Sequence, residues 1–220
     1  MGRDKALLPH PEGGTWLERS LRLLAQLEAP ITLLSRHPAH LELADRTALA
    51  LRPPVTTLAE PSPWEGPLLA LHRLMQRHPD ETLLLCPVDM PDLTLAALQT
   101  LLAAADAAAA ARSPTRLHLA HDGERLQPLL GLVPSSPPIR AHLAAAVNRG
   151  ERRLQSWLVE LPYQAVPLDP RTIRNVNRPE ADQLADSPSA TTIRSQRSSS
   201  ASTSASSSCL GAGSGKGPSS

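Results

Sequence analysis

The chain is 220 residues long, enough for one α/β domain with a sizeable core and some chain to spare. Hydrophobic residues make up 41%, but aromatics only 2% and Phe is absent, so the core has to be assembled from Leu, Ala and Val. A net charge of +1, scattered along the chain, excludes the basic stripe of a nucleic-acid binder, and no apolar run is long enough to cross a bilayer.

The opening, Met1-Gly2-Arg3-Asp4-Lys5, has no signal-peptide apolar region, and Ala6 stands where a myristoylation motif needs Ser or Thr. Cys86 and Cys209 are the only cysteines, one in an apolar run and one in a Ser-rich stretch. A disulfide framework is not expected, and a reducing, cytoplasmic setting fits. Trp16, Leu17, Leu21, Leu24 and Leu27 recur at helical spacing behind Thr15, an N-capping residue. Pro30 stops that helix, and Ile31 to Leu34 reads as a short strand. A polar, His-containing segment follows, then a second short strand ending near Leu58-Ala59-Glu60. Gly66-Pro67 opens a helix carrying Leu68, Leu69, Leu71, Leu74 and Met75.

The next run, Leu83-Leu84-Leu85-Cys86-Pro87-Val88, is apolar without alternation, as in a strand covered on both faces. It delivers one carboxylate, Asp89, and is cut off by Met90-Pro91. An Ala-rich helix is predicted from about Thr94 to Ala111. Strands and helices in alternation point to βαβ units and a mostly parallel sheet. The second half changes character: Arg116 to Ala120 and Gln127 to Val133 flank His121-Asp122-Gly123-Glu124, and an Asp-Gly pair between apolar runs signals a hairpin. Helices follow at about Ile139 to Asn148 and Leu154 to Leu158. From Ser187 the chain is nearly all Ser, Ala, Gly and Thr, too polar to offset its chain entropy. The expectation is an ordered domain over 1–185 and a disordered Ser-rich tail over 186–220.

Several residues carry possible chemistry, each with a plainer reading beside it. Ligands of open α/β sheets gather beyond the carboxyl ends of the strands, which suits Asp89 to a metal-bound phosphate; the plainer alternative is that it merely turns the chain into the next helix. Gly2 and Lys5 could approach a triphosphate, or Lys5 could be a solvated surface group. Glu60 ends a strand beside a Pro/Gly loop, as a nucleotide acceptor or a turn residue. Gly150-Glu151-Arg152-Arg153 reads as an anion clamp or a helix stop. Asn175 and Asn177, two apart, face alike if the segment is a strand, or form a turn before Pro179.

Singly these decide nothing; their order does. The MGxDKxLL-like opening, Gly66-Pro67-Leu68, Cys86-Pro87-Val88-Asp89-Met90-Pro91, His121-Asp122-Gly123-Glu124-Arg125 with Pro128, Gly150-Glu151-Arg152-Arg153 and Asn175-Val176-Asn177-Arg178-Pro179-Glu180 together resemble the molybdenum cofactor guanylyltransferase family. The likeness runs from Met1 to about Leu184. It implies a three-layer, Rossmann-like α/β fold whose mixed sheet is mostly parallel, with an antiparallel hairpin in the second half. It also implies transfer of GMP from GTP to the terminal phosphate of molybdopterin, with Mg²⁺ as cofactor and proteins that handle the molybdenum cofactor as partners. By the likeness Asp89 would hold Mg²⁺ and Lys5 would contact the GTP phosphates, the two acting as the catalytic pair. Glu60 stands where the family usually carries an Asp that binds the nucleoside. The Asn common at the end of the family's second strand has no equivalent in Leu33-Leu34-Ser35. His121, Asp122, Arg125, Arg152, Arg153, Asn175 and Asn177 would lie toward the pterin. The family opens with a strand and a Gly-rich turn, LAGGxSxRMG, whereas this chain starts at the Met of that motif. The resemblance therefore implies a missing first strand, central in the sheet, and an internal methionine taken as the start. The competing readings are a cytidylyltransferase acting on the same cofactor and a truncated, non-catalytic cofactor-binding product.

Overall fold

The computed structural model describes residues 4–112, 116–175 and the backbone of 190–195. A short 3-10 turn, Lys5–Leu7, precedes α1 (Trp16–Ala25), which starts where its sequence pattern places it. The Thr15 hydroxyl accepts the Glu18 N–H at 3.2 Å, and the Glu18 carboxylate accepts the Thr15 N–H at 2.7 Å, a reciprocal cap that satisfies two helix-end donors. There follow β1 (Ile31–Ser35), α2 (Pro38–Ala48), β2 (Val55–Ala59), α3 (Pro67–Arg77), β3 (Thr82–Pro87) and α4 (Leu95–Ala110). The second half supplies β4 (Leu117–His121), β5 (Leu126–Pro134), α5 (Pro137–Asn148), α6 (Leu154–Leu158), β6 (Tyr163–Pro167) and β7 (Ala190–Ser195).

The seven strands form one sheet in the order β2-β1-β7-β3-β5-β4-β6. Strands β1, β2, β3, β4 and β6 run the same way, and only β5 and β7 run against them, so the sheet is mixed and mostly parallel in direction. The Asp-Gly hairpin is present as β4 and β5, with Gly123 at φ +100° in its turn. Alternating side chains of the central strands feed two apolar layers. Leu84 and Cys86 of β3 pack with Leu21 and Leu24 of α1 and with Leu98 and Leu101 of α4. Leu83 and Leu85 pack on the other face with Leu71 and Leu74 of α3, Leu143 of α5 and Trp157 of α6. The result is helix, sheet and helix in three layers. Among the described residues no helix is long and apolar enough to cross a membrane.

The sheet centre departs from expectation. The resemblance implied a missing first strand and so an empty place in the centre of the sheet, and the tail was expected to be disordered from 186 onward. Instead β7, from within that tail, fills the place and pairs antiparallel with both neighbours, Ile193 lying opposite Ile31 on one side and Leu84 on the other. Backbone pairing explains the difference. Strands β1 and β3 each present a row of N–H and C=O groups to the gap, and a polar segment satisfies such groups as well as an apolar one. Composition alone does not reveal that demand. Two further elements were not foreseen, α2 in the polar His-containing segment and β6.

Candidate active site

The carboxyl end of β3 and the start of β5 open onto a cavity of about 430 Å³ whose lining includes Asp89, Gln127, Arg153, Ser156 and Asn175. Strand β3 stops at Pro87, and the turn just beyond it carries Asp89 into this space. The Asp89 Oδ1 is buried and has no hydrogen-bond partner among the described residues. Burial raises the carboxyl pKa above its ordinary value, while the Lys5 charge and the Asn175 amide beside it pull the other way. A buried carboxylate oxygen without a partner among the described residues, acted on by the Lys5 charge, makes Asp89 the leading candidate for a ligand-binding group. Cys86, in the strand that leads there, is no nucleophile: burial pushes its thiol up to about 12.

Lys5 reaches this place because its turn is tied to the end of β1. Asp4 caps the turn, its Oδ1 accepting the Ala6 N–H at 3.1 Å. Its Oδ2 meets His40 Nε2 at 2.6 Å, and His40 Nδ1 meets the Ser35 hydroxyl at 2.9 Å. Ser35 is 1% exposed and His40 2%, so the connection is built into the core. Sequence reading missed His40. It comes from α2, in a segment too polar to stand out as a helix.

The same residues have relatives. Residues 1–166 match the family model described as the MobA-like NTP transferase domain. The chain belongs to this family. A relative in Rhodopirellula baltica, called a probable molybdenum cofactor guanylyltransferase, is 34% identical over 187 residues, 81% of this chain and 82% of its own. One of the same name in Synechococcus elongatus is 31% identical over 182 residues, 81% of this chain and 88% of that one. In fold the chain resembles the crystal structure of molybdopterin-guanine dinucleotide biosynthesis protein A from Archaeoglobus fulgidus, with a TM-score of 0.52 and 15% identity over 76% of each chain. This MobA-like chain is therefore a member of a nucleotidyltransferase family with a three-layer α/β fold.

Within the MobA-like domain the remaining sequence candidates separate. Arg153 and Asn175 line the cavity with Asp89. Glu60 sits just past β2, its carboxylate engaged by Arg73 of α3 at 2.9 Å, and its carbonyl accepts the Trp64 indole N–H at 2.9 Å. Arg152 is engaged within the protein: it pairs with Glu65 and donates to the carbonyls of Val147 and Glu151 at 3.0 and 2.9 Å. It thereby fastens the 60–67 loop to the end of α5, where a side chain on Gly66 (φ +97°) would lie 3.4 Å from the Arg152 carbonyl. His121 closes β4, its Nδ1 accepting the Gly123 N–H at 3.0 Å. Asp122 shapes the hairpin turn through the N–H groups of Glu124 and Arg125, at 2.9 and 2.7 Å. The Arg125 side chain is exposed beyond that turn. Asn177 lies outside the described residues.

Proposed function

We propose that this chain transfers the GMP unit of GTP to the terminal phosphate of molybdopterin, forming a guanine dinucleotide cofactor and releasing pyrophosphate. The observation that carries the reading is Asp89 Oδ1, buried without a partner among the described residues, under the influence of the Lys5 charge, in a cavity at the carboxyl end of β3. The names of the relatives support the substrate assignment.

In this reaction a phosphate oxygen of molybdopterin attacks the α-phosphorus of GTP. A new P–O bond forms as the bond from the α-phosphorus to the bridging oxygen breaks, and pyrophosphate leaves with that oxygen. The nucleophile is an anion already, so the protein supplies position and charge stabilisation rather than an activated Ser or Cys. Lys5 provides the cation for the phosphates, fixed by Asp4 and the His40 connection. Arg153 adds a second cation on the cavity wall. Asn175 sets the orientation of the Asp89 carboxylate.

The donor set at Asp89 fits Mg²⁺. Among the described residues no group of three or more His, Cys, Asp and Glu side chains could enclose an ion. A single carboxylate with room for phosphate oxygens and water is the arrangement Mg²⁺ favours over a closed protein cage. Bound there, the ion would supply charge neutralisation across the triphosphate. A nucleotide panel tests the assignment: with molybdopterin present, GTP should support pyrophosphate release where CTP and ATP do not. Release supported by CTP alone would make the chain a cytidylyltransferase and end the guanyl reading.

A further inference from the structure

Asp122 was expected among the pterin-facing residues, yet its carboxylate is consumed within the protein. Oδ1 accepts two turn N–H groups, from Glu124 and Arg125, and Oδ2 accepts the Gln127 Nε2–H at 2.7 Å. The turn hydrogen bonds, that from Arg125 foremost, hold its pKa below the usual carboxylate range. An ionised carboxylate can only accept, so it fixes which end of the Gln127 amide faces it. The NH₂ end goes to Asp122. What remains for the cavity that Gln127 lines is the carbonyl oxygen Oε1 and a second N–H.

The cavity brings two kinds of group together. Asp89 and Arg153 on its wall are charged groups suited to phosphates and a metal ion. Gln127 also lines it, with Pro128, Leu129 and Leu154, whose apolar surfaces suit a flat ring. We propose that Gln127, aimed by Asp122, is a specificity-determining residue whose Oε1 accepts from the N–H edge of a 2-amino-4-oxopyrimidine ring. Asp122 is then a positioning residue that acts through Gln127 and does not touch the ligand. The inference rests on the guanylyltransferase reading, in which two ligands carry this edge: the guanine of GTP and the pterin of the acceptor. The hydrogen-bond chemistry is shared, and the experiment separates the sources.

The test is equilibrium binding of GTP and of molybdopterin, each titrated separately into the wild-type protein and into Gln127→Leu. Loss of one buried, neutral hydrogen bond should weaken one of the two ligands about tenfold and leave the other alone. The ligand that weakens names the ring. Asp122→Asn alone should weaken the same ligand, because the introduced amide can let the Gln127 amide turn over. The double variant Asp122→Asn, Gln127→Glu should recover it: the introduced amide then donates to one oxygen of the introduced carboxylate, and the other oxygen is again an acceptor. A merely structural role would not be rescued by that exchange. Unchanged affinity for both ligands in Gln127→Leu, equal loss of both, or failure of the double variant to recover would overturn the proposal. Wild-type protein that binds both ligands but releases no pyrophosphate would refute the reaction and leave this inference standing.

Discussion

Removing the Asp4 side chain should cost this protein modest stability and a larger share of its affinity for GTP. Asp4 does two things: it caps the Lys5 turn through the Ala6 N–H at 3.1 Å, and it meets His40 Nε2 at 2.6 Å. A lost capping bond costs about 1 kcal/mol. The pair with His40 is short, but the Asp4 side chain is 36% exposed, so solvent screening holds its contribution to about 1 kcal/mol as well. The sum of about 2 kcal/mol corresponds to a fall in Tm of roughly 4–8 °C for a domain of this size. The same change frees the turn that presents Lys5 to Asp89, and a tenfold rise in KM for GTP is expected, equivalent to about 1.4 kcal/mol. The assay is thermal unfolding of Asp4→Ala beside steady-state pyrophosphate release, with KM for GTP and for molybdopterin measured separately. His40→Ala provides the contrast. It empties a site only 2% exposed, and core truncations of that size cost roughly 2–5 kcal/mol. The reasoning is refuted if Asp4→Ala loses stability as stated while its KM for GTP stays at the wild-type value.

Other consequences follow from the sheet and from Asp89. Because burial raises the Asp89 pKa, the folded state holds its proton more tightly than the unfolded chain does. That contribution is complete below the unfolded value near 3.8 and is lost as pH rises through the folded pKa. Metal-free Asp89→Asn should therefore be more stable than wild type at pH 7, with the gain vanishing in acid, as urea midpoints across pH would record; a less stable Asn variant at pH 7 contradicts this. Deleting residues 186–220 removes β7 and leaves β1 and β3 without their shared partner. Amide hydrogens in Ile31–Ser35 and Thr82–Pro87 should then exchange much faster, and unchanged protection would mean that β7 does not hold the sheet together.

Much of this was legible in the sequence where local chemistry and tertiary demand agree. The unbroken apolar run ending in Asp89 gave β3 and the principal candidate, because a strand buried on both faces has no polar face to alternate with. Thr15 and Thr94 marked helix starts through side-chain hydrogen bonds to the Glu18 and Ala97 N–H groups, and Asp122-Gly123 marked the hairpin. Helix α2 escaped because its buried positions include His40 and Thr47, polar residues that hide the apolar stripe. Strand β6 escaped because only Val166 of its five residues is buried. Strand β7 was invisible for a related reason: its place follows from the backbone needs of β1 and β3, not from its own composition. Gln127 and His40 needed the fold itself, since their partners Asp122 and Asp4 acquire meaning only through the hairpin and the β1 end. Glu60 and Arg152 were singled out for their charge, and the structure engages both with oppositely charged side chains, Arg73 and Glu65.

The central claim is that Asp89 is the protein's ligand for a divalent ion on the triphosphate. A crystal structure with GTP and Mn²⁺ in place of Mg²⁺, read by the anomalous signal of the manganese, addresses it directly. The ion should lie on the Asp89 carboxylate, shared with phosphate oxygens that also meet the Lys5 charge. An anomalous peak elsewhere, with Asp89 turned from the nucleotide, would contradict the account.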